Sequence, residues 1–494
     1  MDISLLVLII LVGAFTYVIL KRRVAYITKT PVWLLWLVLM MPILVSLGLS
    51  VTYGDRLPSL AIVGVFFGSW ILYLVLLQWG RKQPSVATSQ VLGENSTTGE
   101  VVATATPELS KLRPIDTTEE SNLRNCFPWS VYYLEKIEYL PQAVLCRGKL
   151  RSNPEQAYET ITDNIKKLFG DRFFIIFQES FSGKPFFALV PNPQAQQAQG
   201  GKRELFKEIQ LSIILLLLTL FTTTWSGIEI NGIADKIQSK PELIAQGFLY
   251  SLPLLLILGI HELGHYFSAK FYQMKVTLPL FFPVPFFLGT FGAFIQMRSP
   301  APNRKALFDV SIAGPLAGLA ITLPVIWFGL QQSLAIPLSE KSGILNFDSF
   351  NPRFSLLVTL LSKFCLGSQL TSQMAIDLHP IAVAGYIGIL VTALNLMPVG
   401  QLDGGHIVHA MFGQKAAAGI GQIARILMLL LGFAQQELLL WALLLLFMPI
   451  SDEPALNDVS ELDNRRDFLG LISLIILASI LIPVPEALRA WLNV

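Results

Sequence analysis

Long apolar runs alternate with short charged or proline-rich breaks along most of this chain, and that pattern predicts its architecture. Residues 3–20, 31–50 and 59–79 are each apolar over enough length to cross a hydrocarbon core, which takes about 20 helical residues. Lys21, Arg22, Arg23 and Lys29 follow the first run, and Arg81 and Lys82 follow the third. The positive-inside rule puts those breaks on the cytoplasmic side and the amino terminus outside. Residues 84–107 turn to Ser, Thr, Gln, Gly and Val, too polar to bury a core, which predicts a flexible linker.

Beyond this linker the period changes. Alternation over residues 131–138 and 143–150, broken by Pro141, predicts two paired strands. Asn153, Pro154 and Gln156 form a helix start, and Ala157, Tyr158, Ile161, Ile165 and Leu168 repeat at helical spacing up to Gly170. Residues 173–178 and 185–190, either side of Ser182-Gly183-Lys184, predict a second hairpin. The expectation is a small soluble α+β domain in ββαββ order, serving as a spacer or as a regulatory or substrate-reading module.

Apolar runs resume at residues 208–225 and 243–272, the second interrupted by Pro253. Residues 277–298 are also apolar, but Pro279, Pro283, Pro285, Gly289 and Gly292 argue against a spanning helix. They predict a re-entrant β-hairpin, which at membrane depth must be satisfied by protein or a wet cavity and therefore lines the site. Runs at 306–330, 376–397, 419–431, 438–447 and 468–482 bring the total to about ten spans, with 354–366 left without a place. The predicted fold is a polytopic α-helical membrane protein with a small α+β soluble domain and a re-entrant β-hairpin near the active site. Its parts are a three-span region (1–83), a linker (84–108), the soluble domain (109–191), a second linker (192–204), a catalytic membrane core (205–450), and a cytoplasmic loop with a last span (451–494).

Composition agrees with a membrane protein: 53% of residues are hydrophobic and 14% charged, and the mean hydropathy is +0.57. A formal net charge of +2 without a basic patch argues against a nucleic-acid partner. Cys126, Cys146 and Cys365 lack the spacing of a thiolate metal site and are expected to be free thiols. The basic cluster at residues 21–23 stands behind the first apolar run rather than ahead of it, so that run is expected to be a retained span and not a cleaved signal.

The chemistry lies in the 243–272 run, which contains His261-Glu-Leu-Gly-His265. On a helix the two histidines lie one above the other, so both imidazoles reach one ion. Glu262 leaves the helix about 100° further round, too far for easy ligation but near enough to take a proton from a water, the division of labour in a zinc protease. The plain alternative is two buried histidines satisfied by neighbouring carbonyls, which leaves the cost of burying them uncompensated. The 376–397 run ends in Asn395-Leu-Met-Pro398-Val-Gly-Gln-Leu-Asp403-Gly404-Gly405. By alternation this end reaches the depth of the histidines, near the cytoplasmic face, and Asp403 is placed to complete a two-His, one-carboxylate site. An Asp before Gly-Gly is often only a turn residue, and His406 and His409 compete for the third position. Pro398 is expected to stop the helix, Gly404 to allow a tight turn, and Asn395 to satisfy groups freed by the break. Gly314 and Gly318 form a small-residue face, read as helix packing rather than chemistry.

His261-Glu-Leu-Gly-His265 together with the Asn395 to Gly404 segment resembles the site-2 proteases, intramembrane zinc metalloproteases that cut transmembrane helices. The soluble domain, Gly292-Ala-Phe and the Arg298 to Arg304 run look closer to the plant and cyanobacterial branch, the chloroplast membrane proteases whose loss gives pale green leaves. The resemblance implies one Zn2+ per chain on His261, His265 and Asp403, with Glu262 as general base, and transmembrane protein substrates within a lipid bilayer. The hairpin is expected to receive an unwound substrate segment by strand addition, with Phe286 and Phe294 as substrate-binding residues. With no Arg- and Ser-rich transit segment in view, the resemblance is taken to favour a cyanobacterial plasma or thylakoid membrane over a chloroplast one. The soluble domain and the active-site opening are expected on the cytoplasmic side. The competing readings are a non-catalytic membrane scaffold or chaperone and a metal transporter, the latter disfavoured because a lone tight site releases its ion slowly.

Overall fold

In a computed structural model the chain divides into two units, Met1–Ala103 and Thr104–Val494. The structure describes residues 31–53, 115–140, 143–180, 183–192, 202–237, 239–284, 288–339, 342–450 and 452–493, with scattered positions between 13 and 76. In the first unit, helix α1 (Val32–Tyr53) occupies the second expected span. The expected spans at 3–20 and 59–79 lie almost wholly outside the described residues, as does the 84–107 linker.

The second unit opens with helix α2 (Thr117–Asn125), which sequence periodicity did not predict. Leu123 is the one large apolar residue within it, so it has no hydrophobic stripe to read. A reciprocal capping box starts it instead: the Glu119 amide donates to Asp116 Oδ1 at 2.7 Å and the Asp116 amide to Glu119 Oε2 at 3.1 Å. Then follow β1 (Tyr132–Leu140), β2 (Ala143–Leu150), α3 (Pro154–Phe169), β3 (Phe173–Glu179) and β4 (Pro185–Pro191). Both hairpins and the helix between them form as the alternation and capping residues imply, in an antiparallel sheet of order β1-β2-β4-β3. Its core is aromatic. Phe177 and Phe187 stack with centroids 4.2 Å apart, and Tyr132 meets Phe187 edge-on at 5.1 Å. The Tyr132 hydroxyl, wholly buried, is satisfied by the Cys146 carbonyl at 3.1 Å and the Pro185 carbonyl at 3.0 Å.

The membrane part contains α4 (Lys202–Ile230), α5 (Ile244–Phe271), β5 (Leu280–Pro283), β6 (Thr290–Phe294) and α6 (Arg304–Leu330). It continues with β7 (Leu334–Pro337), α7 (Leu356–Leu366), β8 (Met374–Asp377), α8 (Pro380–Leu396) and α9 (Asp403–Phe412). It closes with α10 (Gln414–Ala434), α11 (Gln436–Phe447), α12 (Asn464–Leu481) and α13 (Glu486–Leu492). Among the described residues four helices are long and apolar enough to cross a membrane, or five if the bent pair α12 and α13 is one span. About ten spans are therefore not confirmed, and two of those expected lie almost wholly outside the described residues. The expected span at 376–397 begins as strand β8, paired with β7, because Pro380 starts the helix afresh; the 17 residues left in α8 are short of a full crossing. Helix α11 is shorter still, at 12 residues.

Leu254 and Leu258 of α5, Phe308 and Ile326 of α6, and Val383 and Ile387 of α8 belong to one continuous buried core. The expected hairpin forms beside it, with Leu280 opposite Phe294 and Phe281 opposite Ala293. Its backbone carbonyls are satisfied by helix side chains, as a non-helical segment in apolar surroundings requires. Ser212 Oγ donates to the Pro279 carbonyl at 2.5 Å, Thr222 Oγ1 to Gly289 at 2.6 Å, and the Tyr250 hydroxyl to Leu288 at 2.9 Å.

In the soluble domain burial pushes the Cys146 thiol up to about 12, so at pH 8 only about one molecule in ten thousand carries the reactive thiolate. Iodoacetamide at pH 8 is therefore expected to leave Cys146 unmodified in the native protein and to label it fully after denaturation, as read by peptide mass spectrometry.

Candidate metal centre

Helix α5 presents His261 and His265 on one face, and the start of α9 brings Asp403 to them. His261 Nε2 lies 3.2 Å from His265 Nε2 and 3.5 Å from Asp403 Oδ2, and His265 Nε2 lies 3.2 Å from the same oxygen. Among the described residues this is the one group of its kind able to hold a metal ion. The triangle has a chemical meaning. A tetrahedral ion with bonds of about 2.0–2.1 Å separates its ligands by about 3.3 Å, which matches all three edges.

The protonation of His265 agrees. Its Nδ1 lies 2.7 Å from the Val310 carbonyl of α6, and a carbonyl can only accept, so Nδ1 carries a proton and, in the neutral ring, Nε2 keeps its lone pair for a metal. His261 Nε2, 3.2 Å away, stands where it can share the same ion. Two imidazoles and one carboxylate are a donor set that catalytic zinc sites use. Helix α6 is shaped to allow it. A Cβ on Gly314 would lie 2.1 Å from His265 Nε2, so the small-residue face at 314 and 318 packs on the ligands themselves. The 314/318 spacing repeats the 261/265 spacing, a signal that was present in the sequence and was read as helix packing alone.

The other predicted residues fall as follows. Glu262 is buried on α5 next to His261 in sequence. Asn395 Nδ2 lies 3.1 Å from His261 Nε2. Pro398 follows the end of α8, whose last residue is Leu396. Gly404 serves close approach rather than a turn: it lies inside α9, where a Cβ would come within 2.0 Å of the Leu396 carbonyl oxygen. Phe294, half-exposed, stacks on Phe282 with centroids 5.1 Å apart, while Phe286 lies outside the described residues.

His406 and His409, the competing ligands, point elsewhere. His406 Nδ1 lies 2.8 Å and His409 Nδ1 2.7 Å from Asp452 Oδ2, and His409 Nε2 lies 3.0 Å from Asp458 Oδ1. Sequence reading also missed a clamp beside the site. Arg466 grips both oxygens of Asp309 at 2.7 and 2.6 Å, and the Tyr272 hydroxyl donates to Asp309 Oδ2 at 2.5 Å. These residues lie far apart in sequence and carry no shared motif.

Two family models match the chain: peptidase family M50 over residues 249–434 and the EGY3 middle domain over residues 121–198. The chain is 31% identical over 411 residues to the probable zinc metalloprotease EGY1, chloroplastic, of Oryza sativa subsp. japonica, a match covering 74% of this chain and 68% of the relative. It is 30% identical over 403 residues to the protein of the same name from Arabidopsis thaliana, covering 73% and 70%. The probable zinc metalloprotease EGY2, chloroplastic, of Arabidopsis thaliana is 27% identical over 365 residues, covering 73% and 64%. No solved structure matches the chain. These relatives are plant proteins named chloroplastic, which overturns the expectation of a cyanobacterial source.

Replacing Gly314 with Ala drives a methyl group into His265 and is expected to lower zinc affinity at least about tenfold, the lower end for disturbing a ligand's support. Gly419→Ala, which meets open space, serves as the control. Zinc per purified chain across a chelator titration measures both.

Proposed function

Because the chain belongs to peptidase family M50, the site-2 proteases, and is an intramembrane zinc metalloprotease of the chloroplast-membrane branch, we propose that His261, His265 and Asp403 hold its zinc and that Glu262 is its general base. The observation that carries this assignment is the triangle of ligand atoms 3.2–3.5 Å on a side, with the proton of His265 held on the far nitrogen by Val310. One ion fills one such triangle, so one zinc per chain is expected.

Zinc bound there supplies a Lewis acid that polarises a peptide carbonyl and makes a water easier to deprotonate. Glu262 takes the proton of the attacking water on a carboxylate oxygen and passes it to the departing amide nitrogen. Its burial keeps that oxygen away from bulk water. The Asn395 amide, beside His261 Nε2, is a hydrogen-bond donor for the oxygen of the peptide being cut. A helical substrate hides its carbonyls in its own hydrogen bonds and must unwind before attack. The edge of the β5–β6 hairpin, with Phe282 and Phe294 at one end, is suited to take up the unwound segment.

The site lies within the last three turns of α5, and the same end of the helix meets α6 and α12 through Tyr272, Asp309 and Arg466. The soluble domain joins the core through Lys305 and Glu155, 3.1 Å apart near the start of α6. Both observations favour a site that opens on the side carrying the soluble domain, within a chloroplast membrane by likeness to the relatives. The scaffold and transporter readings are not favoured: a full ligand set with an unshared carboxylate beside it suits hydrolysis, and among the described residues no second metal group accompanies it.

Glu262→Gln keeps the shape of the site and removes the base. It is expected to retain zinc at the wild-type level and to lower cleavage of single-span test substrates at least about 100-fold, in the range attributed to general base catalysis. Cleavage at the wild-type rate by the zinc-loaded variant would rule Glu262 out.

A further inference from the structure

One stretch of chain, residues 452–466, touches the supports of two of the three proposed zinc ligands, Asp403 and His265, and is also built into the soluble domain. On the ligand side, Asp452 accepts from His409, with His406 Nδ1 2.8 Å away, and Asp458 lies against His409 on its other face. Both histidines stand on α9, the helix that Asp403 begins. His409 is wholly buried and Asp452 and Asp458 are nearly so, so these pairs are desolvated and stiff rather than surface ion pairs. Arg304, the first residue of α6, adds a contact to Asp458 at 3.2 Å. At the other end of the stretch, Arg466 holds Asp309 with two hydrogen bonds. Asp309 precedes Val310, whose carbonyl fixes the proton of His265.

On the domain side, the stretch extends the sheet. The Phe177 amide of edge strand β3 donates to the Leu456 carbonyl at 2.7 Å, and the Asp458 amide donates back to Phe177 at 2.9 Å. The pairing is parallel, and Val459 is counted in the aromatic core of the soluble domain. The same residues bind the membrane core: the Leu456 amide donates to Ala301 at 2.9 Å and the Asn457 amide to Pro302 at 3.0 Å. Residues 456–458 are thus a single strand shared by the two parts, flanked by the anchors of α9 and α6.

We propose that residues 452–466 form a strap through which the soluble domain sets the position of the zinc ligands. Asp452 and Asp458 act as positioning residues for Asp403 through α9, and Arg466 acts for His265 through Asp309 and the Val310 carbonyl. A change in the soluble domain that releases the 456–458 strand loosens both halves of the ligand set at once. This inference rests on the assignment of zinc to His261, His265 and Asp403.

The test uses the full chain in detergent, loaded with zinc for chelator-driven release and with Co2+ for its visible spectrum. Asp452→Asn with Asp458→Asn, Asp309→Asn alone, and Phe177→Pro, which removes the amide that grips Leu456, are each expected to speed metal release about tenfold or more, the lower end for lost ligand support. They are also expected to shift the cobalt bands. Glu155→Gln, which cuts the junction outside the strap, is expected to do neither. Because Phe177→Pro also disturbs the sheet, amide exchange is followed in the Asp452→Asn, Asp458→Asn protein. Faster exchange in residues 403–412 and 456–459 together supports the strap. Wild-type metal retention and cobalt bands in that protein would overturn it. A wild-type chain that binds neither zinc nor cobalt would overturn the ligand assignment beneath it, and the strap as well.

Discussion

Two imidazoles and two carboxylates lie among Leu, Ile and Phe side chains in the membrane core, and the surrounding architecture answers the cost of keeping them there. An unpaired carboxylate in such surroundings is expensive; Glu262 is buried, and Asp403 lies against both imidazoles. A divalent cation held there would balance both charges and take the lone pairs of His261 and His265.

Holding the ligands at this separation demands close and rigid neighbours. Helix α6 comes near enough to cover the imidazoles because Gly314 leaves room for His265, and its Val310 carbonyl then fixes the tautomer. Helix α9 brings Asp403 in because Gly404 lets it press on the end of α8. The irregular hairpin beside the site is tolerated because Ser212, Thr222 and Tyr250 satisfy its carbonyls. Behind these contacts, Asp309 and the Asp452–His409–Asp458 group fix α6 and α9 against the segment that also pairs with Phe177. The same desolvation that makes such buried pairs costly to form makes them costly to break, which suits supports that must not drift.

The parts of this arrangement that were legible in the sequence are those written in short-range spacing. His261 and His265 at one helical turn, and Asp403 after a proline-stopped apolar run, are brought together as their spacing implied. The two hairpins and the capped helix of the soluble domain followed from alternation and from Asn153 and Pro154. What escaped depends on contacts between distant segments. Helix α2 has a capping box but a single large apolar residue. Gly314 looked like general packing because nothing local shows that its partner is His265. The grip of Arg466 on Asp309 spans more than a hundred residues without a motif. The 376–397 span was misjudged because hydropathy counts apolar length, whereas Pro380 divides that run into a strand and a short helix.

The central claim is that one ion sits among His261, His265 and Asp403. X-ray absorption at the zinc edge of the purified full chain, with zinc quantified per chain, tests it most directly. The account predicts one zinc per chain, two imidazole nitrogens and oxygen donors at about 2.0–2.1 Å, and loss of that signal in Asp403→Ala. Sulfur in the shell, or an unchanged spectrum in Asp403→Ala, would contradict it.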